Sequence, residues 1–506
     1  MCYISFCISS YERKTMLIEL VEHLLSCNSQ DIEVAVVDDC SQDGTAEALA
    51  KISDYCSYTE NVTFKNSKIM PTEALLNYDA ENTAILISSI RSYLEIINQL
   101  SELGHRNYFV TTIMFDKVRD EVEWKKYTRE YDIEECSKYP IDDRKIIFYA
   151  MGRYSGHGKA ITESLLALKE NLDIVWLVKE EHLNADVPKG VRLVSISNRR
   201  KQVYEMETAK CWIYEHPVSR DYVKRPEQYY IQIKHWSSIT LKTFGRMLHE
   251  FRNEEEAVEH WRYNGEIMDY VFAGSDFDEE TCRRGFCFDK EVIRVGSPRS
   301  DILFRGPEVR QKIFREFHLE LATKIAIYAP TFRLTEDGKA SKDVLRTTKM
   351  DFFRLKEALE RRFDGNWIIF LRFHPLNHLA DENAGLPQFV RNVTDYEDGE
   401  ELVAASDILI TDYSSIMFEP AFVKKPVFLY APDRKQYINQ ERELLLDYDS
   451  LPFDISENNE ELCKDIRSFD TDSYEKRLDF FLKKYGVCED GHASERAAEF
   501  IVKLVS

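Results

Sequence analysis

Several stretches place arginine, histidine or hydroxyl residues directly after an apolar run, where a side chain can face a ligand. In Asp407-Ile408-Leu409-Ile410-Thr411-Asp412-Tyr413-Ser414-Ser415-Ile416-Met417-Phe418-Glu419-Pro420 the apolar run predicts a buried strand, with a helix opening near Ser414. Two hydroxyls beside the unpaired N–H groups of a helix start suit a phosphate or pyrophosphate. Glu419, about one turn further on, can take a ribose or polyol hydroxyl, although ordinary capping by Ser414 or Asp412 explains the same hydroxyls. In Leu371-Arg372-Phe373-His374-Pro375 the alternation puts Arg372 and His374 on one side of a strand end. A cation and an imidazole there can bind phosphate and move a proton, whereas a lone loop histidine more simply caps a carbonyl.

Three further segments have the same form. Val295-Gly296-Ser297-Pro298-Arg299-Ser300-Asp301 offers a close backbone approach at Gly296 and a guanidinium fork at Arg299. Tyr328-Ala329-Pro330-Thr331-Phe332-Arg333 ends a strand in a hydroxyl, Thr331, and a cation, Arg333. Tyr230-Ile231-Gln232-Ile233-Lys234-His235-Trp236 runs into a polar turn through Lys242. Singly, each reads as a solvated strand end. Together they converge on a diphosphate. Gly152-Arg153-Tyr154-Ser155-Gly156-His157-Gly158-Lys159 lacks P-loop spacing and reads as a flexible turn at a helix start. His216 and His492 read as surface or capping residues, and Phe480-Phe481-Leu482 as core.

The elements that must position these residues alternate. Strands are predicted at 145–150, 174–178, 191–195, 211–214, 229–233, 270–273, 325–329, 367–372, 408–411 and 427–430, with helices such as 159–170, 201–209 and 352–362 among them. Strand–helix alternation over about 360 residues implies an α/β fold with two doubly wound parallel sheets. Ahead of it, residues 1–115 read as a small α/β module, with strands at 3–9, 32–37, 84–88 and 107–111 and a helix at 14–26. Residues 116–144 are a charged linker; 145–290 and 291–506 are the two larger domains.

Composition narrows the partners. Of 506 residues, 67 are Lys or Arg and 89 Asp or Glu, for a net charge of −22, which argues against nucleic acid as a partner. A broad electrostatic grip on anionic lipid is equally unexpected, although one local basic patch can supply it. The expectation is therefore a local positive cleft, gathering Arg299, Arg333, Arg372 and two histidines, inside a negative surface. Eleven scattered cysteines without a CxxC pair read as reduced cytoplasmic thiols, and no carboxylate cluster demands a metal or other cofactor. Neither a signal peptide nor a membrane-spanning run is read from the sequence.

Ile8-Ser9-Ser10-Tyr11-Glu12-Arg13 and Val36-Val37-Asp38-Asp39-Cys40-Ser41-Gln42-Asp43-Gly44-Thr45 resemble the nucleotide-binding start of family 2 glycosyltransferases, where the carboxylate after the second strand, here Asp38 or Asp39, holds the nucleoside. That resemblance covers about the first 50 residues, and neither a metal-binding Asp-x-Asp nor a later catalytic Asp follows in the expected context. From about Lys145 onward the strand-end motifs resemble the CDP-glycerol glycerophosphotransferase family, which builds teichoic acids and related capsular polymers. Thr208-Ala209-Lys210-Cys211-Trp212-Ile213, Gly274-Ser275-Asp276 and Asp490-Gly491-His492-Ala493-Ser494-Glu495-Arg496 belong to the same pattern.

The resemblance implies a GT-B-like pair of Rossmann-type domains, acceptor side first and CDP-polyol side second. It implies that Arg299, Thr331, Arg333, Arg372, Ser414, Ser415 and Glu419 hold the CDP-glycerol or other CDP-polyol donor, and that His235 and His374 form the catalytic pair. The implied acceptor is a lipid-linked polymer, and the implied location the cytoplasm, with peripheral attachment to the inner membrane face left open. One departure stands out. The family usually has His-Gly-Thr-Pro-Leu-Lys, whereas His235 here precedes Trp236-Ser237-Ser238-Ile239-Thr240-Leu241-Lys242, so a bulky ring is expected to reshape the acceptor side. A GT-B glycosyltransferase using a nucleotide sugar and a non-catalytic scaffold for polymer assembly are the alternatives.

Overall fold

Continuous apolar runs, buried on both faces, build the two large sheets. The computed structural model describes residues 132–505 except 169, 332, 334–348, 374–384 and 441–442, and before residue 132 little beyond the backbone of short strands. The chain divides into two compact units, Met1–Tyr139 with Asn198–Tyr204, and Pro140–Ser197 with Glu205–Ser506.

In the first unit, β1 (Ile4–Ser10), β2 (Ile32–Asp38), β5 (Ala84–Ile87) and β6 (Tyr108–Val110) form a parallel sheet in the order β2-β1-β5-β6. The hairpin of β3 (Val62–Phe64) and β4 (Ser67–Ile69) was not expected from the sequence. The helix expected at 14–26 and the Asp38 and Asp39 side chains lie outside the described residues.

The second unit holds both larger sheets. The first comprises β7 (Asp142–Tyr149), β8 (Asp173–Val178), β9 (Val191–Ser195), β10 (Ala209–Tyr214), β11 (Tyr229–Gln232), β12 (Tyr270–Ala273) and β13 (Glu291–Arg294), in the order β13-β12-β11-β10-β7-β8-β9. The second comprises β14 (Thr323–Ala329), β15 (Asn366–Leu371), β16 (Val390–Asn392), β17 (Ile408–Thr411), β18 (Val427–Tyr430) and β19 (Asp454–Ser456), in the order β16-β15-β14-β17-β18-β19. Every pairing in both is parallel. Each sheet winds outward in both directions from its first strand, so its strand order reverses between β7 and β10, and between β14 and β17. Ligands of open α/β sheets sit beyond the carboxyl ends of strands at that reversal.

Burial explains the sequence pattern. Ile146, Ile147 and Phe148 of β7 are fully buried, as are Ile325 to Tyr328 of β14. Helices cover the faces: Phe352–Phe363 turns Phe352, Leu355, Ala358 and Leu359 inward and starts on an Asp351 carboxylate that accepts the Arg354 N–H at 3.1 Å.

Two boundaries differ from those read in the sequence. β13 pairs with β12, so the first domain runs past residue 290. The terminal helix Ala493–Val505 returns to the first domain, where Ala497, Ala498, Ile501 and Val505 join its core. Asp301 fixes that return by accepting from the Ala493 and Ser494 backbone N–H groups at 3.0 and 2.7 Å and from the Ser494 hydroxyl at 2.6 Å. Phe481 is core as expected, but its neighbour Phe480 is exposed.

A buried ion pair anchors the polar turn after β11. Lys234 adopts φ 51° and places Nζ 3.0 Å from Asp278 Oδ2, with both side chains almost wholly excluded from solvent. Asp278 also accepts from the Gly274 N–H at 2.9 Å and from Trp236 Nε1 at 3.1 Å. Removing one partner strands the other charge in a dry site. Asp278→Ala is therefore expected to lower stability by about 3–5 kcal/mol. Glu259→Gln, which breaks the exposed pair with Arg262, should cost no more than about 0.5 kcal/mol. Thermal melts of both variants check the contrast; equal shifts would remove the anchoring role of Asp278.

Candidate functional site

Both strand-order reversals open on one cleft of about 480 Å³ between the two domains of the second unit. From the first domain, Arg153 and Ser155 follow β7, Glu215 follows β10, and His235 and Trp236 follow β11. From the second, Thr331 follows β14, Arg372 follows β15, and Ser414, Ser415 and Glu419 follow β17. Arg299 enters from the segment joining the domains.

Arg299 is the most heavily engaged. Its Nη1 donates to the His235 carbonyl at 2.9 Å and lies 3.5 Å from Glu400, and its Nη2 donates to the buried Glu419 carboxylate. These carboxylates raise its pKa against the opposing effect of burial. Its backbone N–H points at His157 Nδ1, 3.4 Å away, while His157 Nε2 lies 2.9 Å from the Trp236 carbonyl. Those partners place the proton on Nε2. Burial first, then the Arg299 and Lys234 charges, holds His157 well below the usual histidine range. It is thus a neutral strut beneath the turn that carries His235.

His235 is exposed to the cleft, and its ring stacks on His216 with centroids 5.0 Å apart and planes 8° from parallel. His216, read from sequence as a surface or capping residue, is instead its half-buried neighbour, with burial lowering its pKa. The Trp236 indole does not fill the cleft. It is buried between Phe244, 4.1 Å away between centroids, and Phe286, at 5.8 Å. The longer turn that follows has a structural use: Ile239 and Leu241 plug into the core of the second domain, and the Leu241 carbonyl accepts the Leu445 N–H at 2.8 Å.

On the opposite wall, Arg372 donates through Nη1 to the carbonyls of Val393 and Tyr396 at 3.1 and 2.8 Å. Gly399 packs against its guanidinium, for a Cβ there would lie 3.0 Å from Nη2. The Thr331 hydroxyl is buried without a partner among the described residues, and its N–H is held by Asp412 at 2.9 Å. The segment after β17 begins as a short 3₁₀ turn, Ser415–Met417, before the helix Phe418–Phe422. Ser414 caps it, accepting the Ile416 N–H at 3.4 Å, and Ser415 accepts the Leu241 N–H at 3.1 Å.

Arg333 departs from expectation. It is buried behind the cleft wall, with Nη2 on Asp412 at 2.8 Å, Nε on Asp433 at 2.5 Å, and its plane beside the stacked rings of Tyr413 and Tyr437. Its fork is committed to these carboxylates, so it braces the Asp412 turn and is not presented to a ligand. His374 lies outside the described residues.

The charge of the cleft also differs from the positive pocket expected. Four cations, Arg153, Lys242, Arg299 and Arg372, face four carboxyls, Glu215, Glu397, Glu400 and Glu419. Burial alters that balance: it pushes Glu215 up to about 8, so it is mostly protonated near neutrality, and Glu400 up to about 7, so it is divided between its two forms there. Glu215 reaches its place because Gly156, at φ 64°, has no Cβ; one would sit 2.7 Å from Glu215 Oε1. Among the described residues no group of three or more His, Cys, Asp or Glu is arranged to hold a metal.

A model of the family described as CDP-Glycerol:Poly(glycerophosphate) glycerophosphotransferase matches residues 134–503, and one for glycosyl transferase family 2 matches residues 5–68. A teichoic acid glycerol-phosphate transferase of Staphylococcus aureus is 28% identical over 72% of this chain and 95% of its own length. A teichoic acid poly(glycerol phosphate) polymerase of Staphylococcus epidermidis is 26% identical over 83% of this chain, which spans 58% of that relative. The solved structure of the wall teichoic acid polymerase TagF aligns with TM-score 0.65 and 23% identity, covering 77% of this chain and 99% of that one. The fold is accordingly GT-B-like.

The raised pKa of Glu215 sets a pH dependence. A carboxyl that binds its proton more tightly folded than unfolded stabilises the fold at low pH. That contribution fades as pH rises from the ordinary glutamate range through about 8. Glu215→Gln keeps the neutral form at every pH. It should melt like the parent near pH 5 and above it near pH 9; parallel melting curves across that range would show that Glu215 is ionised throughout.

Proposed function

Because this chain belongs to the CDP-glycerol glycerophosphotransferase family, we propose that it transfers glycerol phosphate, or a related polyol phosphate, from a CDP-activated donor to a hydroxyl of a teichoic-acid-like polymer and releases CMP. The observation that carries this reading is the single cleft on which both strand-order reversals open, with arginines from the second domain and the joining segment facing His235 of the first.

Phosphoryl transfer asks the protein for position and charge more than for covalent help. Arg372, the Thr331 hydroxyl, without a partner among the described residues, and the Ser414–Ser415 turn receive the diphosphate at the ends of β15, β14 and β17. Arg299 and Glu419 form the floor, where the carboxylate can share its charge with a ribose or polyol hydroxyl. His235 takes the proton from the acceptor hydroxyl as that oxygen attacks the polyol-bearing phosphorus. The bond from that phosphorus to the bridging oxygen breaks, and CMP leaves with the electron pair. His216 stacks against His235, and its half-burial lowers its own pKa. His374, two residues beyond Arg372, is assigned to charge stabilisation on the leaving group by its place in the motif.

A lipid-linked acceptor is part of this proposal, with the enzyme working from the cytoplasmic face of the membrane. Among the described residues no helix is long and apolar enough to cross a membrane.

The decisive measurement is CMP release from CDP-glycerol and CDP-ribitol with a soluble acceptor. His235→Ala should lower kcat by about 10²–10⁴-fold with folding intact. Arg372→Lys, which keeps the charge but loses the fork, should weaken donor binding about tenfold or more by calorimetry. Release of UDP from UDP-sugars with no turnover of either CDP-polyol would overturn the reading.

A further inference from the structure

The first-domain wall carries a cation to which the mechanism above gives no task. Arg153 follows the central strand β7 through Met151 and Gly152, both at positive φ, 53° and 76°. A Cβ on Gly152 would lie 2.7 Å from Lys179 Cγ, and its carbonyl accepts the Lys179 N–H at 2.8 Å, so the turn is fixed against β8. The turn carries Arg153 over the strand end into the cleft. There its Nε is buried with no hydrogen-bond partner, and among the described residues no carboxylate forms an ion pair with it.

Arg372 faces it from the second domain. Among the described residues only Nη1 of that guanidinium is hydrogen-bonded, to the two carbonyls after β16. Burial chiefly lowers its pKa; the Glu400 and Asp398 charges act the other way, and the Arg153 charge lowers it again, so the two cations are near enough to repel. Glu215, the carboxyl nearest in character to a counter-ion for Arg153, is held largely neutral by its own burial. Two like charges on opposing walls without a shared anion are costly until an anion enters between them. Guanidinium forks match the oxygens of a phosphate.

We propose that Arg153 and Arg372 grip one phosphate between them, which makes Arg153 a substrate-binding residue and the phosphate the link that draws the two domains together. The proposal rests on the phosphotransferase reading for its substrate. The phosphate belongs either to the donor diphosphate or to the terminal unit of a polyol-phosphate acceptor.

The full chain, its Arg153→Ala and Arg153→Lys variants, Arg372→Ala and the double alanine variant are titrated with CDP-glycerol, inorganic pyrophosphate and glycerol 3-phosphate by calorimetry. Turnover is then measured with a phosphate-terminated acceptor and its dephosphorylated counterpart. Arg153→Ala should lower kcat/KM at least tenfold, with only partial recovery in Arg153→Lys. The double variant should lose less than the product of the single losses, since both residues act on one group. A donor phosphate weakens CDP-glycerol and pyrophosphate binding in Arg153→Ala; an acceptor phosphate leaves these unchanged and raises KM only for the phosphate-terminated acceptor. Changes within twofold throughout, or losses in the two single variants that multiply independently, overturn the pairing. If the parent protein turns over no CDP-polyol, the phosphotransferase reading fails by itself. Binding of pyrophosphate and glycerol 3-phosphate still decides for Arg153: weaker binding of either in Arg153→Ala sustains the grip, and unchanged binding of both ends it.

Discussion

The cleft depends on one guanidinium held from both sides. Arg299 sits in the segment that leaves the first sheet, yet its two Nη atoms reach a carbonyl of the first domain and carboxylates of the second. A charge this well buried is tolerated only when paired and hydrogen-bonded, so its partners cannot drift without leaving it stranded. That requirement fixes the His235 carbonyl, and with it the backbone that carries the His235 ring, and fixes Glu419 in the floor. Through its backbone N–H it also selects the tautomer of His157, which in turn holds the Trp236 carbonyl. Pre-organisation of this kind is what phosphoryl transfer needs, because groups already in place require no rearrangement as charge develops.

The turn from Lys234 to Phe244 transmits that order to the second domain. The Lys234–Asp278 pair and the Trp236 indole secure its start in the first domain, while Ile239 and Leu241 are buried in the other core. Ser415 ties the two ends of this arrangement together by accepting from Leu241, so a residue expected to meet phosphate also positions the crossing chain. The tryptophan and the added length therefore serve packing and attachment, and the space in front of His235 remains open.

Much of this was legible in the sequence where the physics is local. Buried parallel strands are uninterrupted apolar runs, so β9, β12, β17 and β18 fall at their expected bounds. β16 and β19 are three residues long, at the edges of their sheet, and too mixed in polarity to stand out. The strand-end rule found Arg372, Thr331, Ser414 and Glu419, and failed for Arg333, where two carboxylates distant in sequence, Asp412 and Asp433, claim the guanidinium. It also passed over Glu215 and His216, although they directly follow a recognised strand. The Gly152–Lys159 turn was read as merely flexible. Its glycines answer instead to Lys179, Glu215 and Trp176, contacts that no local pattern encodes.

Net charge proved a poor guide to the site for a related reason. A chain of net −22 reports its solvated surface, where each carboxylate is ionised and counts in full. Inside the cleft the count by residue type is balanced, but desolvation acts on the two signs differently. Glutamates can accept a proton at modest cost, and Glu215 and Glu400 are pushed toward doing so. Arginines cannot shed theirs within the working range of pH. Burial therefore tilts a balanced set of side chains toward positive charge without adding a single cation, and an acidic protein can offer a phosphate a favourable place between two domains.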